Sequence, residues 1–182
     1  NMEYVTSASL GSATPFGTLT ATGRGNAACA SPTRGIFFGG YQAYTTPVST
    51  YTNVINYITI ATTGGGTDFG DLAADNSGKK GGHAAFSSST RGVVAGGAIY
   101  GPDAPAYTLY NTIEYVTIAS TGNAQDFGDL TGANNYLSGT SNSTRGIFNQ
   151  GTTPTYINTI QYVTIASTGN AQDFGDALNK YF

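Results

Sequence analysis

The apolar residues of this chain fall in two kinds of short block, separated by stretches rich in Gly, Ser, Thr and Asn. One block mixes β-branched and aromatic residues, as in TIEYVTI at 112–118, and the other follows a Thr-Arg-Gly triplet, as in VVA at 93–95. Both compositions favour strands. No segment repeats apolar residues at i, i+3, i+4 and i+7 over three turns, so the pattern predicts an all-β protein.

Alternation within the block at 112–118 predicts which residues share a face. Ile113, Tyr115 and Thr117 belong to one side of the strand, and Val116 and Ile118 belong to the other. Because both faces are largely apolar, we expect a sheet that is covered on both sides.

The blocks recur at a period near fifty residues. Residues 111–129 and 158–176 differ at one position, Glu114 against Gln161, and looser copies lie at 53–72 and 1–19. Such a period predicts a repeat architecture. We interpret residues 1–182 as a single repeat array, with a partial unit at 1–19 and a first, second and third unit at about 20–72, 73–130 and 131–182.

Each unit is expected to hold about four short strands. These are a Ser/Thr/Asn-rich stretch such as 137–143, the Arg-Gly block, the tyrosine block and a fourth strand such as QDFG at 125–128. The connector between the second and third is short, which favours an antiparallel pair over a parallel crossover. In the first unit the ladder should join 35–39 to 54–60.

Two stretches resemble kelch repeats: RGIFFGG at 34–40 followed by NVINY at 53–57, and RGVVAGG at 91–97 followed by NTIEY at 111–115. Both show the kelch order of apolar strand, double glycine, variable loop and tyrosine strand. The resemblance implies kelch-like β-propeller blades of about four short antiparallel strands. The chain departs from that pattern at 149–151, which reads Asn-Gln-Gly, and it has no Trp, so Phe69, Phe127 and Phe174 are candidates for the kelch tryptophan's place.

The two kinds of block do not occur equally often, so a single chain does not supply complete blades for a closed propeller. The tyrosine block occurs four times and the Arg-Gly block three times. The alternatives are blades completed between chains, an open stack, or a longer array. An open stack with exposed ends favours self-association into a homo-oligomer.

The phrase YVTIASTGNAxDFGDL followed by STRG resembles, over nearly the whole chain, tandem repeats of structural proteins of marine bacteriophages. Those proteins are thought to lie on tails or fibres. The resemblance implies a virion, and therefore extracellular, location, with other virion proteins or further copies of the chain as partners.

Charge and composition exclude several functions. Charged residues make up 9% of the chain and the net charge is −3, without a basic block, which argues against nucleic-acid binding. No apolar run approaches twenty residues, which argues against membrane insertion. The single Cys29 is expected to be buried and the single His83 to be solvated or locally hydrogen-bonded, so no catalytic residue and no cofactor is predicted.

The acidic residues are concentrated in the repeated Asp-Phe-Gly-Asp phrase. Asp beside Gly is a common turn former whose carboxylate bonds nearby backbone N–H groups, so we predict structural turns. Calcium binding is the weaker alternative, because oxygen ligands three residues apart could hold the ion. The candidates are Asp68, Asp71, Asp126, Asp129, Asp173 and Asp176.

Three of the arginines, Arg34, Arg91 and Arg145, open the Arg-Gly blocks. A guanidinium in every unit is suited to an ion pair or a carbonyl clamp between neighbouring blades. Binding of an anionic glycan is the alternative.

The connectors after the Arg-Gly strands differ between units, at 41–52, 98–110 and 152–157, and they are rich in tyrosine. One interpretation is that they form surface loops that bind a glycan or a protein. The alternative is that these rings pack beneath the loops as local cores. The candidate binding residues are Tyr41, Tyr44, Tyr51, Tyr100, Tyr107, Tyr110 and Tyr156.

These observations favour a non-enzymatic structural protein, a phage tail or fibre component with host-surface glycan contact through the tyrosine loops. An intracellular kelch-like interaction module is the alternative, disfavoured by the low Lys and Glu content. A propeller glycosidase or lyase is less favoured, because no unique cluster of His, acid and Arg occurs.

Overall fold

The computed structural model describes residues 1–21, 23–45, 48–74, 78–100, 107–153 and 155–180, without the side chains of 43–45, 48–49 and 150. These residues form antiparallel sheets and no α-helix. The all-β prediction is confirmed. No helix of the described ranges has the length and apolar character needed to cross a bilayer.

Three sheets have four strands each, hydrogen-bonded in chain order within one predicted unit. The first sheet comprises β3 (Ala27–Ala30), β4 (Arg34–Thr45), β5 (Val48–Thr59) and β6 (Thr67–Asp71). The second comprises β7 (Ala84–Ser87), β8 (Arg91–Ala95), β11 (Thr112–Thr117) and β12 (Gln125–Asp129). The third comprises β13 (Ser138–Ser141), β14 (Arg145–Thr152), β15 (Tyr156–Thr164) and β16 (Gln172–Asp176).

Two smaller sheets have two strands each. One pairs β1 (Met2–Tyr4) with β2 (Thr14–Gly17), and the other pairs β9 (Ala98–Ile99) with β10 (Thr108–Leu109).

The Arg-Gly strand pairs antiparallel with the following tyrosine strand in all three units, as predicted. In the first unit Gly35 lies opposite Ile58 and Ile36 opposite Tyr57. The predicted loop at 41–52 is wrong, however, because β4 continues to Thr45 and β5 begins at Val48. The connector residues therefore lengthen the β4–β5 hairpin instead of forming a separate loop.

The Asp-Phe-Gly-Asp phrase forms the fourth strand of each sheet, which confirms the strand predicted at 125–128, whereas its prediction as a structural turn is wrong. The strand is irregular: the register of β12 shifts opposite Ile113 and Glu114, and Gly128 has a φ of +144°. The expected local bond is nevertheless present, since Oδ1 of Asp68 accepts the Gly70 N–H at 3.2 Å. Across the described residues, no group of three His, Cys, Asp or Glu side chains could hold a metal ion.

The core lies between successive sheets. Ile36, Phe38 and Ile55 of the first sheet pack against a cluster that includes Val116 and Ile118 of the second. On the other side of β11, Ile113 and Tyr115 belong to a second cluster. The third unit contributes Phe148, Val163 and Ile165 to the same cluster. The predicted division of this strand into two covered faces is confirmed.

Arginine joins one sheet to the next. Nη1 of Arg34 donates to the carbonyl oxygen of Ile118 at 2.9 Å, and Nη1 of Arg91 donates to that of Ile165 at 2.8 Å. This is the carbonyl clamp expected from the sequence. Arg145 lies over the ring of Tyr162, 4.3 Å from its centroid, and the described residues place no further sheet beyond it.

A buried polar side chain in each tyrosine strand holds the segment that follows the preceding sheet. The oxygen of Asn56 accepts the Thr20 N–H, that of Glu114 accepts the Ala73 N–H, and that of Gln161 accepts the Thr131 N–H. Glu114 differs from the other two because it is charged. Its carboxylate lies 3.2 Å from Nζ of Lys80, and both side chains are fully buried.

Candidate functional site: a tyrosine-lined pocket

A cavity of about 630 Å³ opens where segments of all three units meet. This volume lies within the range of small-molecule sites. The described residues that line it are Arg24, Gly25, Tyr41, Tyr51, Tyr100, Tyr107 and Tyr136.

Three equivalent residues form a row at the floor of the pocket: Gly25, Gly82 and Tyr136. Each lies shortly before the first strand of its sheet. The Gly82 N–H donates to the carbonyl of Gly25 at 2.9 Å, and the Tyr136 N–H donates to that of Gly82 at 2.6 Å. All three have left-handed backbones, with φ of +64°, +71° and +54°. This row brings the three units together beneath the pocket.

Two glycines near the pocket, Gly25 and Gly81, let the ring of Tyr41 approach the backbone. A Cβ on Gly25 would lie 2.6 Å from the Tyr41 ring, and one on Gly81 would lie 2.7 Å from the same ring. Real Cβ atoms do not come so close, so these glycines are required for the position of Tyr41.

The first and second units meet through Tyr51. Its ring packs on Tyr41 with centroids 4.8 Å apart, and its hydroxyl accepts the backbone N–H of Tyr100 at 2.8 Å. Tyr51 is only 4% exposed, so this ring follows the local-core alternative rather than the surface-loop one. It forms the wall of the pocket rather than its rim.

The opposite wall joins the second and third units. Nδ2 of the buried Asn135 donates to the hydroxyl oxygen of Tyr107 at 2.7 Å, and the Tyr107 ring lies 6.2 Å from that of Tyr100. A phenol that accepts a hydrogen bond keeps its own proton to donate. The Tyr107 hydroxyl is therefore held in place with its O–H directed away from Asn135.

The pKa values of two pocket phenols, Tyr41 and Tyr107, are raised. Burial raises the pKa of Tyr41, and the hydroxyl of Tyr136, 3.4 Å from that of Tyr41, raises it further. Burial also raises the pKa of Tyr107. Among the described lining residues only Arg24 carries a formal charge. The pocket therefore presents aromatic faces, phenolic O–H groups and one guanidinium.

Four of the tyrosines proposed from the sequence come together here: Tyr41, Tyr51, Tyr100 and Tyr107. The side chain of Tyr44 and residues 101–106 of the second connector lie outside the described residues. Tyr110 is half-buried, with Nζ of Lys80 5.7 Å from its ring centroid, and the exposed Tyr156 does not line the pocket.

Sequence reasoning missed Arg24 and Tyr136. Arg24 lies outside the Arg-Gly blocks, and its backbone pairs with Tyr41. The repeat alignment does distinguish Tyr136, because the equivalent residues of the other two units are Gly25 and Gly82. A tyrosine where its repeats have glycine is the departure that could have identified it.

The single histidine and the single cysteine lie elsewhere. Nε2 of His83 is 2.9 Å from the carbonyl oxygen of Phe38, and burial lowers the pKa of the imidazole to about 4. The prediction of a solvated or locally bonded histidine is therefore wrong. Burial raises the pKa of the Cys29 thiol to about 12, so it is a poor nucleophile.

Comparison with known proteins gives a likeness of fold. No protein-family profile and no curated protein matches the sequence. Solved structures do match, among them one titled "Structure of YjhT", at a TM-score of 0.65 and 11% sequence identity. The match covers 85% of this chain and 45% of that structure, so the chain spans less than half of its length. At this identity the similarity concerns the arrangement of the β-sheets alone.

Proposed function

We propose that this chain is a non-enzymatic carbohydrate-binding module of an extracellular assembly, in which the three four-stranded sheets are kelch-like propeller blades. The observation that carries the binding proposal is the tyrosine pocket. Four of its five rings come from connectors that differ between units, whereas the strands recur almost unchanged.

The blade arrangement is supported by the stacking of the sheets. Each is a meander in chain order, and the first strands of successive sheets lie side by side. Oγ of Ser87 donates to the carbonyl oxygen of Ala30, and Oγ of Ser141 donates to that of Ser87, both at 2.7 Å. Sheets that converge on their first strands and pack face to face have the geometry expected of neighbouring blades.

A sugar is the ligand class that matches the lining best. Pyranose rings present an apolar C–H face to an aromatic ring and oxygen acceptors at their edges. The pocket offers both counterparts, with tyrosine faces for the ring and phenolic and guanidinium donors for the oxygens. Rigid tyrosines also lose little side-chain entropy on binding.

The absence of enzymatic activity is proposed from the same lining. The described lining residues include no carboxylate, imidazole or thiol, and the raised pKa values of Tyr41 and Tyr107 keep both phenols neutral. General acid–base chemistry on a sugar needs a group that titrates near the working pH. The pocket is therefore suited to binding rather than bond cleavage.

The virion setting rests on the resemblance of the repeat phrases to phage tail and fibre proteins. Self-association, or association with other virion proteins, is supported by the outer face of the third sheet, where Phe174 is half exposed and the described residues leave β16 at the sheet edge. An exposed apolar side chain beside an open strand edge favours pairing with another polypeptide.

Binding can be measured by titrating the protein with galactose, N-acetylglucosamine and galacturonic acid. The chain has no Trp, so its ultraviolet emission reports on tyrosine. We expect at least one sugar to change this emission saturably, and Tyr107→Ala to weaken the binding of that sugar by about fivefold, because a stacked ring contributes about 1 kcal/mol.

Tyr156→Ala is the matched control, because Tyr156 is an exposed connector tyrosine that does not line the pocket. It should leave the titration unchanged. A protein that binds none of the three sugars, or one whose binding is unaffected by Tyr107→Ala, would refute the carbohydrate-binding proposal.

A further inference from the structure

One residue of the pocket violates a backbone preference that its repeats obey. Tyr136 has a φ of +54° and is the only non-glycine residue with a positive φ in the described ranges. A bulky side chain in this region is rare and costs free energy, because its Cβ crowds the backbone. The equivalent residues of the other units are Gly25 and Gly82, for which this conformation is inexpensive.

The fold requires the conformation but not the tyrosine. The backbone row from Gly25 through Gly82 to Tyr136 requires a left-handed residue at each step, and two of its three members satisfy it without a side chain. Glycine at position 136 would make the same backbone bond. The backbone hydrogen bonds of the row therefore do not explain the presence of the Tyr136 ring.

The ring of Tyr136 is directed to the pocket. It lies against the backbone of Gly82, where an added Cβ would come within 3.2 Å of it, and its hydroxyl is 3.4 Å from that of Tyr41. The side chain is nevertheless 47% exposed, so the ring is not a core residue. A strained residue with a solvent-facing ring in a pocket is a feature of binding sites rather than of cores.

We propose that Tyr136 is the specificity-determining residue of the pocket, held against its backbone preference so that its ring and hydroxyl face the ligand. This inference rests on the proposed carbohydrate-binding function. The third unit thus contributes an aromatic ring to the pocket at a position where the first and second units have glycine. Bound sugar would contact the exposed face of this ring and the paired hydroxyls of Tyr41 and Tyr136.

Three variants separate ring, hydroxyl and backbone. Tyr136→Gly removes the ring and relieves the strain, Tyr136→Asn removes the ring with a residue that tolerates left-handed φ, and Tyr136→Phe keeps the ring without the hydroxyl. Each is titrated with the same three sugars, and its unfolding is measured in urea, beside wild type and Tyr107→Ala.

We expect Tyr136→Gly and Tyr136→Asn to weaken sugar binding by about fivefold or more, because each removes a stacked ring, and Tyr136→Phe to weaken it less. The urea midpoint of Tyr136→Gly should equal or exceed that of wild type, because glycine adopts this φ freely. Loss of binding without loss of stability is the combination that a structural role would not give.

The outcomes that overturn the proposals differ. If Tyr107→Ala weakens binding while the Gly and Asn variants bind as wild type does, the role of Tyr136 is refuted and the sugar site stands. If the Gly variant unfolds at markedly lower urea, or fails to fold, the ring is structural and the role is refuted. If wild type binds no sugar, both proposals fall.

Discussion

The second and third sheets carry the same nineteen-residue phrase with one difference, yet they occupy different environments. Phe127 of the second sheet is 2% exposed, because the third sheet covers it, whereas the equivalent Phe174 is 53% exposed. The adjacent glycines differ in the same way: a Cβ on Gly128 would lie 2.6 Å from the backbone of Gly169, and one on Gly175 would meet nothing within 4 Å. Identical strands are thus core or surface depending on whether another sheet follows.

The outward residues of the third sheet differ in polarity from their equivalents in the first sheet. In the first sheet, the residues facing the next sheet include Ala27, Cys29, Ile36 and Phe38. By the repeat alignment, their equivalents in the third sheet are Ser138, Thr140, Ile147 and Asn149. Three of these four equivalents, all except Ile147, are polar, so this face presents less apolar surface than the equivalent face of the first sheet.

The strongest test of this comparison is truncation of the two phenylalanines. Phe127→Ala should lower the free energy of unfolding by about 3–5 kcal/mol, because it leaves a cavity between two sheets. Phe174→Ala should lower it by less than about 1 kcal/mol, as expected for a solvent-facing residue. Urea unfolding monitored by circular dichroism measures both, and equal losses would mean that Phe174 is covered in solution.

The single difference between the phrases provides the next test. Glu114→Gln leaves the buried ammonium of Lys80 without its carboxylate and should cost about 3 kcal/mol. The third unit has Gln161 at this position and the buried Asn134 at the position of Lys80. The double variant Glu114→Gln, Lys80→Asn copies that pair and should recover most of the loss. A double variant no more stable than the single one would show that the two positions are not coupled.

The smallest expected effect is a dependence on pH that arises at the junction of the first and second sheets. The pKa of His83 is about 4 in the folded state, below its ordinary value of 6.5, so the unfolded chain binds more protons between these values. Stability should therefore be complete above pH 6.5 and fall by about 2 kcal/mol on acidification to about pH 5.

His83→Leu is the control for the pH effect, because the third unit has the buried Leu137 at the equivalent position. The variant should lack this part of the pH dependence, whatever its stability at neutral pH. A pH profile that stays parallel to that of wild type would assign the dependence to other groups.

Much of the fold could be predicted because the information is local or repeated. Alternation at 112–118 placed Ile113 and Val116 on opposite faces, and the short connector predicted an antiparallel pair. The errors arose where a tertiary neighbour decides. The Asp-Phe-Gly-Asp phrase was predicted both as a fourth strand and as a turn, and pairing with the tyrosine strand makes it a strand. The connector at 41–52 contains a proline and small residues, but strand pairing extends to Thr45 and Val48.

The candidate site was predicted in part. Tyrosine-rich connectors were recognisable by composition, and four of their rings line the pocket. The sequence left open whether Tyr51 is exposed or buried, because its burial depends on Tyr41 and on the Tyr100 backbone of the next unit, which no local pattern indicates. Arg24 was missed because it lies outside every repeated block.

The sequence by itself determined the repeat, the strands and their pairing, because these depend on alternation, turn chemistry and short connectors. Only the tertiary structure decided which of three equal phenylalanines is exposed, why one repeat has Glu114 where another has Gln161, and which tyrosines share a pocket. These outcomes depend on contacts between residues some 30 to 95 positions apart. Such contacts arise only when one sheet is laid against the next, so the physical reason is packing between units rather than preference within them.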